Sequence, residues 1–133
     1  MNYTICYTSK AIGTLDKKAL DEIFNITEIN NNKKGIYGIL LFGMGDFFQV
    51  LEGNKDCLLT LYDKIKEDPR HTNIYEVMNR ATENVVFSDY NSDFQIVHNS
   101  KQLEDIKQYL KSHEYSSTSN KIQRLLRPFI LDY

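Results

Sequence analysis

Apolar and polar residues alternate from the start of the chain. Tyr3, Ile5 and Tyr7 fall on one side, Thr4, Cys6 and Thr8 on the other. That two-residue period predicts a strand over residues 3–8, which Gly13-Thr14 then breaks. From about Asp16 to Ile29 the period lengthens, with Leu20, Ile23, Phe24 and Thr27 at helical spacing, so a first helix is expected there. Asn30, Asn31, Asn32 and Gly35 read as a loop, because Asn and Gly take up turn geometries at little cost. Two strongly apolar segments, 35–43 and 46–52, flank the short turn Gly43-Met44-Gly45-Asp46 and predict a hairpin. Leu58, Leu61, Tyr62 and Ile65 sit at i, i+3, i+4 and i+7. Residues 55–67 should therefore be a helix, with Asn54 as N-cap and Pro69 at its far boundary. Segments 73–80 and about 93–98 read as further strands, with a poorly patterned stretch between them.

The order is β-α-β-β-α-β with one more strand, which is the ferredoxin-like arrangement of an α+β fold. Beyond it the character changes. Leu103, Ile106 and Leu110 predict a short helix after Ser100, and a Ser/Thr-rich linker spans about Tyr115 to Asn120. Ile122, Leu125, Leu126 and Phe129 then return to helical spacing, in a segment expected to cap the open sheet face or to pair with another subunit. The chain thus divides into a sheet-bearing unit, 1–98, and a C-terminal helical extension, 99–133.

Composition narrows the function. The 133 residues suit one core, and the formal net charge of −2, with no dense Lys/Arg run, argues against a nucleic-acid partner. Neither a signal-like leader nor a stretch long enough to cross a bilayer is present, so no membrane partner is expected. Cys6 and Cys57 lie far apart with no CxxC spacing, which suggests neither a metal site nor a disulfide. A cytoplasmic location follows as the expectation.

Fold order does not fix chemistry. The informative residue is Gln49, which shares one face of its strand with Phe47 and Leu51, while Phe48, Val50 and Glu52 share the other. A buried amide without partners costs about 1–3 kcal/mol. Tyr7 is a natural partner if the two strands are neighbours. Its hydroxyl can donate to the Gln49 carbonyl and leave the amide NH2 free for a third group.

Several segments resemble one family. Asn31 with Gly35-Ile36-Tyr37-Gly38-Ile39-Leu40-Leu41, then Phe47-Phe48-Gln49-Val50-Leu51-Glu52-Gly53, then Asp68-Pro69-Arg70-His71, are similar to the signature of BLUF domains, the flavin-binding blue-light sensors. Tyr7-Thr8-Ser9 occupies the place of that family's tyrosine-bearing first strand, and the resemblance covers roughly residues 3–98. It implies a flavin ring between the two helices, against the sheet face carrying Tyr7 and Gln49. Ile23 would pack on the ring, and Asn31, assisted by Asn30, would bond its polar edge. Lys64, Arg70 and His71 would face the other edge and the ribityl-phosphate tail. Tyr7 and Gln49 would be the photochemical pair, Tyr7 giving an electron and a proton relayed through Gln49, whose amide is left rotated or tautomerised. FAD is the cofactor implied, with FMN and riboflavin as alternatives.

The chain departs from the family where many members carry Trp and, two residues on, Met in the fifth strand. Counted from Phe87, those positions hold Tyr90 and Ser92, and the chain has no Trp. Both are candidates for relaying the signal, although Ser92 lacks the soft, polarisable side chain of Met. Tyr90 would also be a second tyrosine near the flavin, able to donate electrons in a side reaction. The expectation is a short stand-alone photosensor, not an enzyme, acting on an unidentified downstream protein, with homo-oligomerisation left open. Two rivals stand beside it. One is a ferredoxin-like interaction module with lost photochemistry. The other is an enzyme of the acylphosphatase kind, against which no Gly-rich phosphate-cradling loop lies beside an Arg.

Overall fold

The computed structural model describes residues 2–83, 85–90, 93–113 and 116–129. Its elements in chain order are β1 (Asn2–Ala11), α1 (Lys17–Lys33), β2 (Tyr37–Gly43), β3 (Asp46–Asn54), α2 (Lys55–Glu67), β4 (His71–Ala81), β5 (Gln95–Ile96), α3 (Ser100–Lys111) and α4 (Ser117–Leu126). The sheet runs β4-β1-β3-β2-β5. β1 is antiparallel to both β3 and β4, and β3 to β2, while β5 adds in parallel beside β2. This is the ferredoxin-like order with one strand appended. Among the described residues no helix is long and apolar enough to cross a membrane.

Strand alternation divides the core in two. Ile5, Tyr7, Leu40, Phe47 and Leu51 face α1 and α2, where Phe24, Leu58 and Tyr62 meet them. Cys6, Ile39, Leu41, Phe48 and Val50 face α3 and α4, and pack on Leu103, Ile106, Leu110, Ile122 and Leu126. Helices cover both faces, which is why β2 and β3 read as apolar runs rather than as alternating strands. The C-terminal segment caps the sheet face that the first two helices leave open. β2 and β3 approach so closely at Gly38 that an added Cβ would lie 1.9 Å from the Val50 carbonyl oxygen.

Four boundaries differ from the sequence expectation. α1 continues through Asn30–Asn32, the expected loop, and stops at Lys33. Its end is closed by Gly35 at φ +67°, after which the Ile36 N–H donates to the Asn31 carbonyl at 2.9 Å. The expected Ser/Thr linker is largely the first turn of α4, because Ser116 caps it by accepting from the Ser119 N–H at 3.2 Å. β4 starts earlier than expected, at His71, and β5 is only two residues long.

Candidate functional site

A cavity of about 190 Å³ lies between α1 and α2, against the sheet. Tyr7, Ile23, Asn30, Asn31, Gln49, Lys64, Arg70 and His71, singled out from sequence, all line it.

Its floor holds the polar pair. Tyr7 on β1 and Gln49 on β3 are direct cross-strand partners, and both side chains are almost fully buried. The Tyr7 hydroxyl donates to Gln49 Oε1 at 2.5 Å. Burial raises the Tyr7 pKa far above its ordinary value, and the neighbouring Tyr62 and Asp68 push the same way. The phenol therefore stays protonated and acts as the donor. The Gln49 carbonyl is its acceptor, and the amide NH2 is left for a group in the cavity.

Asn31, in the last turn of α1, is 1% exposed, and its Nδ2 has no acceptor among the described residues. An orphan buried donor costs about 1–3 kcal/mol. A ligand carrying a hydrogen-bond acceptor would remove that cost. Two amide donors thus border a cavity whose remaining lining includes the apolar Ile23, Leu40, Phe47, Leu61 and Ile65. A flat ring system with carbonyl and ring-nitrogen acceptors on its edge, which is what a flavin offers, fits this donor set.

Among the charged lining residues, Arg70 and Asp68 already engage each other. Arg70 forks onto Asp68, Nε to Oδ1 at 2.9 Å and Nη2 to Oδ2 at 2.6 Å. Those bonds hold the Asp68 carboxyl below its usual pKa range and raise that of Arg70. Arg70 accordingly offers a ligand its remaining N–H groups more than a net charge. His71 is pinned as well. Its Nε2 lies 2.6 Å from the Ile65 carbonyl, which can only accept, so Nε2 carries the hydrogen. In the neutral ring, Nδ1 then accepts from the Ser9 hydroxyl at 2.7 Å. His71 thus lends the cavity ring surface and ties β1 to the end of α2.

Tyr90 is not near the cavity. It packs on the opposite sheet face with its ring 4.5 Å from that of Tyr109, so the expected second tyrosine beside a flavin must be sought elsewhere. Ser92 lies outside the described residues. Counting from Phe87 missed the turn at Ser88–Tyr90, and the buried residues that β5 and its entry bring beside Leu40 are Phe94 and Ile96. The sequence reading also passed over Asp68, Leu61 and Ile65 as lining residues. The helical spacing of Leu58, Leu61 and Ile65 marked a buried face but not one that opens on a ligand. Asn32 was a further omission: its Oδ1 accepts from the Phe94 N–H at 2.5 Å and fastens α1 to the β5 segment.

Comparison with known proteins decides the family. The BLUF family, sensors of blue-light using FAD, matches residues 3–93. The chain belongs to the BLUF family. The photoactivated adenylate cyclase subunit beta of Euglena longa is 39% identical to it over 74 residues, which are 56% of this chain and 9% of that protein. The blue light- and temperature-regulated antirepressor BluF of Escherichia coli (strain K12) is 36% identical over 75 residues, 56% of this chain and 19% of the relative. The chain therefore spans less than a fifth of the length of either curated relative. Among solved structures, the dark state of the BLUF protein BlrB superposes with a TM-score of 0.68 at 27% identity, covering 95% of this chain and 92% of that one. The cavity, with its Tyr7–Gln49 bond and its unpaired Asn31 donor, lies wholly within the matched BLUF region.

Proposed function

We propose that this BLUF chain is a photoreceptor that holds a flavin non-covalently between α1 and α2 and converts blue light into a changed hydrogen-bond network. The observation that carries the reading is the buried Tyr7–Gln49 bond, which orients a free amide NH2 into the same cavity as the unpaired Asn31. FAD is the cofactor proposed, with FMN and riboflavin, which share its ring and differ in the tail, as alternatives. Asn31 and Asn30 would bond the ring edge, Ile23 and Ile65 would pack on it, and Lys64 with Arg70 would meet the tail.

A bound flavin supplies blue absorption and, once excited, a strong one-electron oxidant. Tyr7 is the donor: it loses an electron, and its hydroxyl proton leaves along its hydrogen bond to Gln49. Return of both leaves the Gln49 amide rotated or tautomerised, so that carbonyl and NH2 present a different pattern to the cavity. No covalent bond forms, and the output is a shift in conformational populations.

Residues 1–98 form the sensory unit in this reading, and 99–133 a helical extension seated on its outer face. The chain acts as a sensor rather than an enzyme, in the cytoplasm, and passes its state to a downstream protein. The rival of an interaction module with lost photochemistry is the weaker reading, because such a module has no use for a phenol–amide pair buried beside an orphan donor. The purified protein should be yellow, and denaturation should release its chromophore into a filtrate. A colourless protein that also refuses added flavin removes the reading.

A further inference from the structure

Tyr62 of α2 does not line the cavity, but it packs on Tyr7 from within the same core, with ring centroids 5.6 Å apart and planes at 35°. It is 2% exposed. Glu76 on β4 is the cross-strand partner of Tyr7 and shares the sheet face on which Tyr62 packs, and after burial it is the nearby Glu76 carboxylate that raises the Tyr62 pKa. The carboxylate is held in turn by Asn79 Nδ2 at 3.1 Å, while Asn79 Oδ1 accepts from the Tyr3 hydroxyl at 2.5 Å. The two neighbouring tyrosines are therefore unlike. The Tyr7 phenol faces an amide carbonyl, a very weak base, whereas the Tyr62 phenol faces a carboxylate.

A phenol that loses an electron becomes a strong acid, so the hole is most stable on the ring whose proton has a base to go to. Lys66 Nζ lies 4.7 Å from the Tyr62 ring centroid and disfavours a positively charged ring there. Oxidation of Tyr62 thus has to be accompanied by proton loss.

We propose that Tyr62 and Glu76 form a second redox site behind the Tyr7–Gln49 pair, with Tyr62 as electron donor and Glu76 as acceptor of its proton. The proposal rests on the flavin reading, because the oxidant is a photoexcited flavin. When the Tyr7 phenol has lost an electron but not yet its proton, Tyr62 returns that electron and its O–H bond breaks. The proton passes to the Glu76 carboxylate. Tyr7 is again a neutral phenol, Tyr62 a neutral radical and Glu76 a carboxylic acid, and the electron first lost by Tyr7 stays on the flavin. In a Tyr7→Phe protein the electron leaves Tyr62 across the Phe ring instead. No proton reaches Gln49, so charge separates without the amide rearranging.

The test is electron spin resonance of flavin-loaded Tyr7→Phe protein frozen under blue light. A neutral tyrosyl radical is expected, together with a new infrared band of a protonated carboxyl. Adding Tyr62→Phe should abolish both, adding Glu76→Gln should abolish the carboxyl band, and adding Tyr90→Phe should change neither. Tyr62→Phe alone should bind flavin and melt as the wild type does, which separates a redox role from packing. A radical that survives Tyr62→Phe, or none at all in Tyr7→Phe protein that holds flavin, overturns the assignment. Should the chain hold no flavin, the photoreceptor reading fails by itself. The pair is then read by oxidising the flavin-free Tyr7→Phe chain with a soluble photoexcited ruthenium complex and an electron-accepting quencher. A radical spectrum unchanged by Tyr62→Phe overturns the assignment there too.

Discussion

Tyr7, Gln49 and Asn31 share one cavity and do different work in it. Tyr7 is satisfied inside the protein, since its hydroxyl already has the Gln49 carbonyl. Asn31 is not, since its Nδ2 waits for an acceptor. Removing each should therefore have different consequences for flavin affinity. Asn31→Ala deletes the buried donor proposed to bond the ring and should weaken binding about ten- to a hundred-fold. Tyr7→Phe keeps the ring shape, removes a hydroxyl that points at Gln49 rather than at the ligand, and should bind nearly as wild type. Titration of flavin into the two apo variants decides the matter, and equal losses would misplace Asn31. Two of these three residues were legible from sequence alone in physical terms: a lone amide in an apolar strand face asks for a partner, and Tyr7 stood on a strand that could supply one. The role of Asn31 came only with the family resemblance. Its own sequence context suggested a turn, and what brings it to the cavity wall is the extra helical turn closed by Gly35.

β3 is the element with a stake in both faces of the sheet. Gln49 projects into the cavity, and three residues on Glu52 projects the other way, 1% exposed. Its carboxylate accepts backbone N–H groups from Val86 at 2.6 Å, Phe87 at 3.3 Å and Ser88 at 2.9 Å. The Val86 carbonyl accepts in turn from the Tyr109 hydroxyl of α3 at 2.5 Å. One buried carboxylate thus holds the connection between β4 and β5 and, through it, the outer helical layer. Glu52→Ala would strand these backbone donors and should cost about 2–4 kcal/mol in urea unfolding. Flavin should still bind, because Glu52 lies across the sheet from the cavity. A loss within experimental error would mean that water replaces the carboxylate and that the clamp is dispensable. None of this was readable from the chain, where Glu52 looks like an ordinary strand residue. A carboxylate that gathers backbone groups more than thirty residues away leaves no local pattern.

The molecule as a whole is a sheet with helices on both faces. α1 and α2 enclose the cavity, and α3 and α4 cover the other side, with Tyr90 in that second layer beside Tyr109. The β-α-β-β-α-β order was legible because each element buries one clearly periodic face, and Asn54 caps α2 as expected. The boundaries that moved were the end of α1 and the start of α4, set by the local caps at Gly35 and Ser116, together with the earlier start of β4 and the short β5. Tyr90 was misplaced for a related reason, since a turn that changes sheet face cannot be counted through. In the proposed function light rearranges the Tyr7–Gln49 bond, and the light-minus-dark absorption spectrum of the flavin-loaded protein reads that rearrangement. Wild type should show a small, reversible red shift of the flavin bands under blue light. Tyr7→Phe and Gln49→Leu should remain yellow and show none, because one lacks the phenol that supplies the proton and the other the amide that rearranges. A normal, reversible red shift in Tyr7→Phe would contradict this mechanism outright.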